Sequence, residues 1–253
     1  MRVLVTFAVE AEFAPWRRLR KFGSVSWVGL EGFSSEIGNL EIAVMLTGIG
    51  ARQTWVNATK AIWGEEFDVC ISSGLAGGLR SEHQSGEVLV ARAVHSVEWQ
   101  RTIRCDASLV DCAAACGAKP VELFRSENHV VVSVEEKRRL GEFADAVDME
   151  SGDILFEASA FGIRGVAIRG ISDTVDEGLP IDFNRVVTGD GDISIPKVLG
   201  EVARHPAKLP ALMRFGQQSH RAAESLCAFL DGYVARLAKD FTPSTVDSPV
   251  AAT

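Results

Sequence analysis

The sequence predicts an α/β fold, a three-layer sandwich in which a mixed, largely parallel central sheet is flanked by helices. Three observations carry this. Apolar runs of strand length alternate with helix-like stretches over most of the chain, each run rich in Val or Ile and closed by Gly, Ser or a charge. The 253 residues suit one such domain, because α/β folds reach this length as a single unit. A composition of 47% hydrophobic and 24% charged residues provides enough apolar surface for a full core and excludes disorder for the bulk of the chain.

Taken in order, strands are expected at 3–9, 41–46, 68–73, 87–94, about 130–132, and 165–171. The run from 51 to 63 reads as a helix following Thr47-Gly-Ile-Gly50. Its Trp55, Val56, Ile62 and Trp63 exceed what a wholly exposed helix would carry, so they serve either the core or a subunit contact. The best-marked helix start is Ser133-Val-Glu-Glu136, where a serine cap and a glutamate three places on can satisfy each other's backbone donors. That helix should run to about Phe143. A loop is expected over 176–195, then helical spacing from Val198 through Leu237, broken at Pro206 and Pro210. Residues 1–239 should form the domain. From 240 to 253 the Pro, Ser, Thr, Asp and Ala composition has little to bury and predicts a disordered tail.

A net charge of -8 argues against a general electrostatic grip on nucleic acid or an anionic membrane, since both require a basic face. A small-molecule partner fits better. The opening apolar run is cut short at Glu10 and Glu12, so it reads as a buried strand rather than a signal peptide, and no segment approaches the ~20 apolar residues of a membrane span. Five cysteines form no C-x-x-C pair, and with no export signal they suggest reduced thiols in the cytoplasm. Cys112 and Cys116, four apart on an expected helix, read as packing.

Three segments stand where strands should end, and ligands of open α/β sheets bind in the crevice at those ends. Glu10 and Glu12 follow the first strand, either as solvated acids at a helix start or as site carboxylates. Ser72-Ser-Gly-Leu-Ala-Gly-Gly78 reads as a glycine-rich turn after the strand at 68–73; it lacks the G-x-G-x-x-G spacing, and could bring backbone amides near a ligand at Leu75, Ala76 and Gly77 or merely make a tight exit. The third segment pairs Asp148-Met-Glu150-Ser with Arg169-Gly-Ile-Ser172-Asp173. A carboxylate opening a helix can bridge two vicinal hydroxyls, and an Asp at a strand mouth can hold a proton for a leaving nitrogen. The plainer alternative is an ion pair between Arg169 and Asp173.

Together these segments resemble the purine nucleoside phosphorylase and methylthioadenosine/S-adenosylhomocysteine nucleosidase superfamily over roughly residues 1–176, most specifically in Val147-Asp-Met-Glu-Ser151 and Ile168-Arg-Gly-Ile-Ser-Asp173. The resemblance implies cleavage of the N-glycosidic bond between a purine, adenine above all, and a ribosyl group. It implies that Asp173 protonates the departing base, Glu12 activates water, Glu150 holds the ribose hydroxyls and Met149 packs beneath the sugar. Arg169 and Ser172 would lie beside these groups, Val9 and Ile49 would shape the sugar pocket, and His129 and Val130 would meet the base.

Two departures matter. Nucleosidases of the family carry Ser where this chain has Leu75, and the phosphorylases' phosphate-holding Arg and Ser are absent around Ser72 and Leu75. Gly74-Leu-Ala-Gly-Gly78, Asp148-Met-Glu-Ser151 and Arg204-His-Pro-Ala-Lys-Leu-Pro210 also resemble the hopanoid-associated phosphorylase branch, which implies adenosylhopane as substrate. Hydrolysis leads, because Glu12 is present. Phosphorolysis, with phosphate as co-substrate, is the alternative, and a non-catalytic nucleoside-binding module is a third reading. No metal or redox cofactor is expected. The resemblance further implies a homodimer or larger assembly through the helix at 51–63.

Overall fold

The computed structural model describes residues 1–27, 30–188 and 194–240. In chain order it contains β1 (Arg2–Phe7), α1 (Glu10–Leu19), β2 (Gly23–Trp27), β3 (Leu30–Ile37), β4 (Leu40–Leu46), α2 (Ala51–Gly64) and β5 (Val69–Gly78). There follow β6 (Val88–Ser96), β7 (Arg101–Arg104), α3 (Ala107–Ala115), β8 (Lys119–Ser126), α4 (Val134–Gly141), β9 (Ala146–Asp148), α5 (Ser151–Ala160) and β10 (Arg164–Asp173). A short 3-10 turn at Phe183–Arg185 leads to α6 (Ile195–Arg204), and another at Pro206–Lys208 leads to α7 (Leu209–Asp240).

One mixed sheet runs β10-β6-β8-β9-β5-β1-β4-β3-β2. Its centre, β4-β1-β5-β10, is parallel, and β5 also pairs with β9, so half of the sheet closes on itself. Side chains alternate along β1 in the way a two-sided strand requires. Val3, Val5 and Phe7 join the core cluster that includes Phe13 and Trp16 of α1 and Leu226 and Leu230 of α7, while Leu4 joins Ala58 and Ile62 of α2 and Ile154 of α5 on the other face. This gives the three layers. Trp16, fully buried, donates its indole N–H to Asp231 at 3.0 Å and so fastens α1 to α7.

Several expectations are corrected. The glycine-rich segment after residue 73 is not a turn: β5 continues to Gly78 because β10 ladders along it, Arg169 beside Gly74 and Ile171 beside Ala76. No strand forms at 130–132. Asn184 takes both the N–H and the C=O of Val130, and the C=O of Val132 accepts from Leu179, so these valines cover a loop instead of extending the sheet. The strand lies earlier, at β8, where Val121 and Phe124 are buried. The hairpin β2-β3, the exposed edge β7 and the three-residue β9 also lie outside the expected list. Pro210 does not break a helix but starts one, as the second residue of α7, where a missing N–H costs nothing.

Other expectations hold. Ser133 caps α4 by accepting from the Glu136 N–H at 3.2 Å, although the Glu136 carboxylate turns to His129 instead of closing the box. All five cysteines are free, and Cys112 and Cys116 pack against the core. Of the expected tail, Asp240 is the last residue of α7 and 241–253 lie outside the described residues.

Candidate active site

The loops leaving β1, β4, β9 and β10 converge on a cavity of about 670 Å³. Val9, Glu12, Ile49, Met149, Glu150, Ser172 and Asp173 line it, together with Leu75, Ala76 and Gly77 of β5 and His129 and Val130 before α4. Residues separated by up to 164 positions of sequence are thus brought together by strand order alone. Arg169 does not line the cavity; it lies fully buried behind it.

Glu12 occupies the first turn of α1, and its carboxylate ends β1 by capturing the backbone N–H of Ala8 at 2.9 Å and of Val9 at 3.4 Å. Its second oxygen accepts the N–H of Leu75 at 2.9 Å. Gly74, at φ +141°, lets the strand come this close: a Cβ there would lie 3.2 Å from a Glu12 oxygen. The site therefore keeps a donor at position 75 even though the side chain is leucine. Burial raises the Glu12 pKa, and the Leu75 N–H and the Arg169 charge only partly offset it.

Glu150 is the N-cap of α5. It accepts the Gly50 N–H at 3.3 Å, a contact that fixes the loop leaving β4 against the helix leaving β9. Burial, then the neighbouring Asp148, pushes its pKa up to about 8. Asp148 itself accepts the Ser151 N–H at 3.2 Å and the Arg169 Nε at 2.9 Å, while Arg169 Nη2 reaches the Ser72 hydroxyl at 3.1 Å. The plainer alternative, an Arg169–Asp173 pair, does not form. Four residues of strand span ~13 Å, too far for the two side chains to meet, so Arg169 pairs across to β9.

Asp173 pairs instead with Lys137 of α4. The ammonium is only 1% exposed and spends its other two donors on the carbonyls of Thr174 at 2.9 Å and Glu177 at 2.7 Å, so all three protons are satisfied. The other Asp173 oxygen accepts from Ser172. The sequence reading missed Lys137. It stands in Glu-Glu-Lys-Arg-Arg, a run that looks like a solvated helix face, and only the docking of α4 against the end of β10 buries it.

Beyond the carboxylates the cavity is apolar, walled by Leu179, Phe183, Val187, Ile195, Leu212 and Phe215. His129 pairs with Glu136 at 3.1 Å. Away from the cavity, Glu82, His83 and Asp145 bring one ligand atom each within 4.8 Å of the others, but Arg80 lies 3.1 Å from Asp145, so a cation already pairs with that carboxylate.

The family model described as "Phosphorylase superfamily" matches residues 2–235. A 5'-methylthioadenosine/S-adenosylhomocysteine nucleosidase of Shewanella halifaxensis is 25% identical over 224 residues, covering 79% of this chain and 97% of the relative. One from an Exiguobacterium species is also 25% identical, over 60% of this chain and 76% of its own length. Among solved structures, the Helicobacter pylori nucleosidase of that name, bound to butyl-thio-DADMe-Immucillin-A, superposes with a TM-score of 0.70 at 22% identity over 92% of this chain and 97% of the other. The native futalosine hydrolase of the same organism gives the same TM-score, identity and coverage.

Proposed function

The chain belongs to the phosphorylase superfamily, and from that premise we propose that it is a nucleosidase that hydrolyses the N-glycosidic bond of a 5'-substituted adenine ribonucleoside. One observation carries the choice of water over phosphate. The Glu12 carboxylate fills the cradle of backbone N–H groups from Ala8, Val9 and Leu75, where an attacking dianion would need those donors for itself. The bond from the anomeric carbon to the base breaks with its electron pair moving to the base, and Asp173 delivers a proton to a base nitrogen. Glu12 takes a proton from water as its oxygen bonds to the anomeric carbon, leaving free adenine and a 5'-substituted ribose. No metal or redox group is needed for this balance. Lys137 acts as a positioning residue: its ammonium, anchored on the carbonyls of Thr174 and Glu177, holds Asp173 at the cavity.

Glu150, at a helix start beside the Gly50 amide, suits the ribose hydroxyl pair. Glu150→Ala should weaken binding of ribosyl substrates about tenfold or more while leaving 2',3'-dideoxy analogues nearly unchanged, because only the former lose a hydrogen-bonded pair. Equal losses in KM for both would remove the contact. The apolar wall beyond the sugar supports a large apolar group on the 5' carbon, such as the lipid implied by the hopanoid-branch resemblance. The test is incubation with adenosine, methylthioadenosine, S-adenosylhomocysteine, inosine and a 5'-alkyl adenosine, with and without phosphate, scoring base and sugar product. Release of free sugar, fastest from the alkyl compound, is the expected result. Phosphate-dependent release of a sugar 1-phosphate would replace the hydrolase reading with the phosphorylase alternative.

We infer further that the protein is a homo-oligomer working in the cytoplasm, a setting its free cysteines suit. Ile62 of α2 is buried, but Trp63 is 70% exposed against a half-exposed Phe161, the residue that follows α5, an aromatic face that suits a subunit contact. Trp63→Arg should shift a dimer toward monomer in sedimentation velocity. A wild-type monomer at micromolar concentration overturns the assignment.

A further inference from the structure

We propose that α6 and the first turns of α7 form a docking surface for an anionic lipid bilayer. None of the ten residues of α6 is buried, although Ile195, Val198, Leu199 and Val202 recur at helical spacing along one face. Ile195 and Leu199 are 63% and 62% exposed, and Leu209 and Met213, one turn apart on α7, are 44% and 60% exposed. Four large apolar side chains in so short a stretch exceed scattered surface exposure.

The charge around them runs against the chain as a whole. Over 194–221 the cations are Lys197, Arg204, Lys208, Arg214 and Arg221, and the single acid is Glu201, already held by Arg204 at 2.7 Å. The whole chain carries -8. Lys197 and Arg204, together with Glu201 and with Arg185, which Asp182 holds at 3.1 Å, line one cavity of about 510 Å³ beside α6. An amphipathic helix with an apolar face and cations on its polar face is the form that lies in a membrane interface, its apolar residues at the acyl boundary and its cations among the phosphates. A second copy of this chain fits worse. A two-fold contact would oppose each patch to itself and bring like charges together. No helix among the described residues is long and apolar enough to cross a membrane, so the contact is peripheral.

The surface also adjoins the site. Ile195 and Val198 of this face line the large cavity, and Leu199 beside them is 62% exposed, so a bilayer seated on α6 would meet the apolar end of that cavity. Only this last connection rests on the reading of an apolar 5' group. Vesicle binding is measured without substrate, so the two can fail separately.

The experiment is flotation of the full chain with vesicles of phosphatidylcholine alone and of phosphatidylcholine mixed with phosphatidylglycerol, at low and high salt. Partition onto the mixed vesicles should exceed that onto the neutral ones by about tenfold or more and fall with salt, since each basic residue near an anionic surface contributes about fivefold. Lys197→Glu with Arg204→Glu should abolish that excess. Leu199→Ser with Met213→Ser should weaken binding to both vesicle types by about tenfold or more. Unchanged melting curves and turnover of a water-soluble nucleoside establish that these exposed changes leave the fold intact. Equal partition onto both vesicle types, or no partition at all, overturns the proposal. So does a vesicle-free dimer that Leu199→Ser with Met213→Ser dissociates, since a second copy would then be the occupant.

Discussion

Asp173→Asn is expected to lower kcat by ~100-fold or more, because the amide cannot deliver a proton to the departing base. On sequence grounds the change looks nearly isosteric and harmless to the fold. Lys137 alters that. The substitution leaves its buried ammonium with neutral acceptors alone, the Asn amide oxygen and the carbonyls of Thr174 and Glu177, and removing the charge of one member of a buried pair costs about 3 kcal/mol or more. The single variant should therefore melt lower as well as turn over slowly. Adding Lys137→Met to Asp173→Asn should restore much of the lost stability, since both charges are then gone, and restore none of the activity. Denaturant melts and single-turnover base release, measured on all four members of the cycle, separate the two roles. A single Asp173→Asn variant with more than about a tenth of wild-type kcat would remove Asp173 as the acid.

The second large effect concerns Glu12. Glu12→Gln should cost ~100-fold or more in kcat, with wild-type turnover indifferent to added phosphate. Here too the fold participates, because both carboxylate oxygens accept backbone N–H groups. Gln would set its own N–H₂ against one of those donors, at a cost of about 1–3 kcal/mol, so activity must be read on protein shown to be folded. The pH profile supplies an independent reading. Burial raises the Glu12 pKa, so the group takes up its proton at a higher pH than an exposed glutamate as the solution is acidified. The active form is the carboxylate. The rate should hence fall on the acid side, with its inflection above the ordinary glutamate value of ~4.3, and that limb should vanish in the residual activity of Glu12→Gln. Acceleration by phosphate, or an acid limb unchanged in the variant, would count against Glu12 as the base.

The α/β class, the core strands β1, β4, β6 and β10, the helices α2 and α4, and the gathering of Glu12, Glu150 and Asp173 at strand ends were all legible in the sequence. These rest on local physics: Val and Ile runs of strand length, a serine cap before acids, and carboxylates following apolar runs. The sequence also carried a family resemblance whose motifs bring Glu12, Glu150 and Asp173 in that order along the chain. What it could not carry was anything decided by which surfaces meet. The segment Gly74–Gly78 became strand because β10 lies alongside it, and Val130 to Val132 stayed out of the sheet because Asn184 claims the backbone of Val130. Arg169 turned to Asp148 because strand rise carries Asp173 out of its reach. Lys137 is the sharpest instance, a lysine in a charged helical run that becomes the buried partner of Asp173 when α4 docks. Periodicity and capping act over a few residues and are written in the chain; pairing and burial depend on contacts between residues far apart in it, which only the tertiary structure fixes.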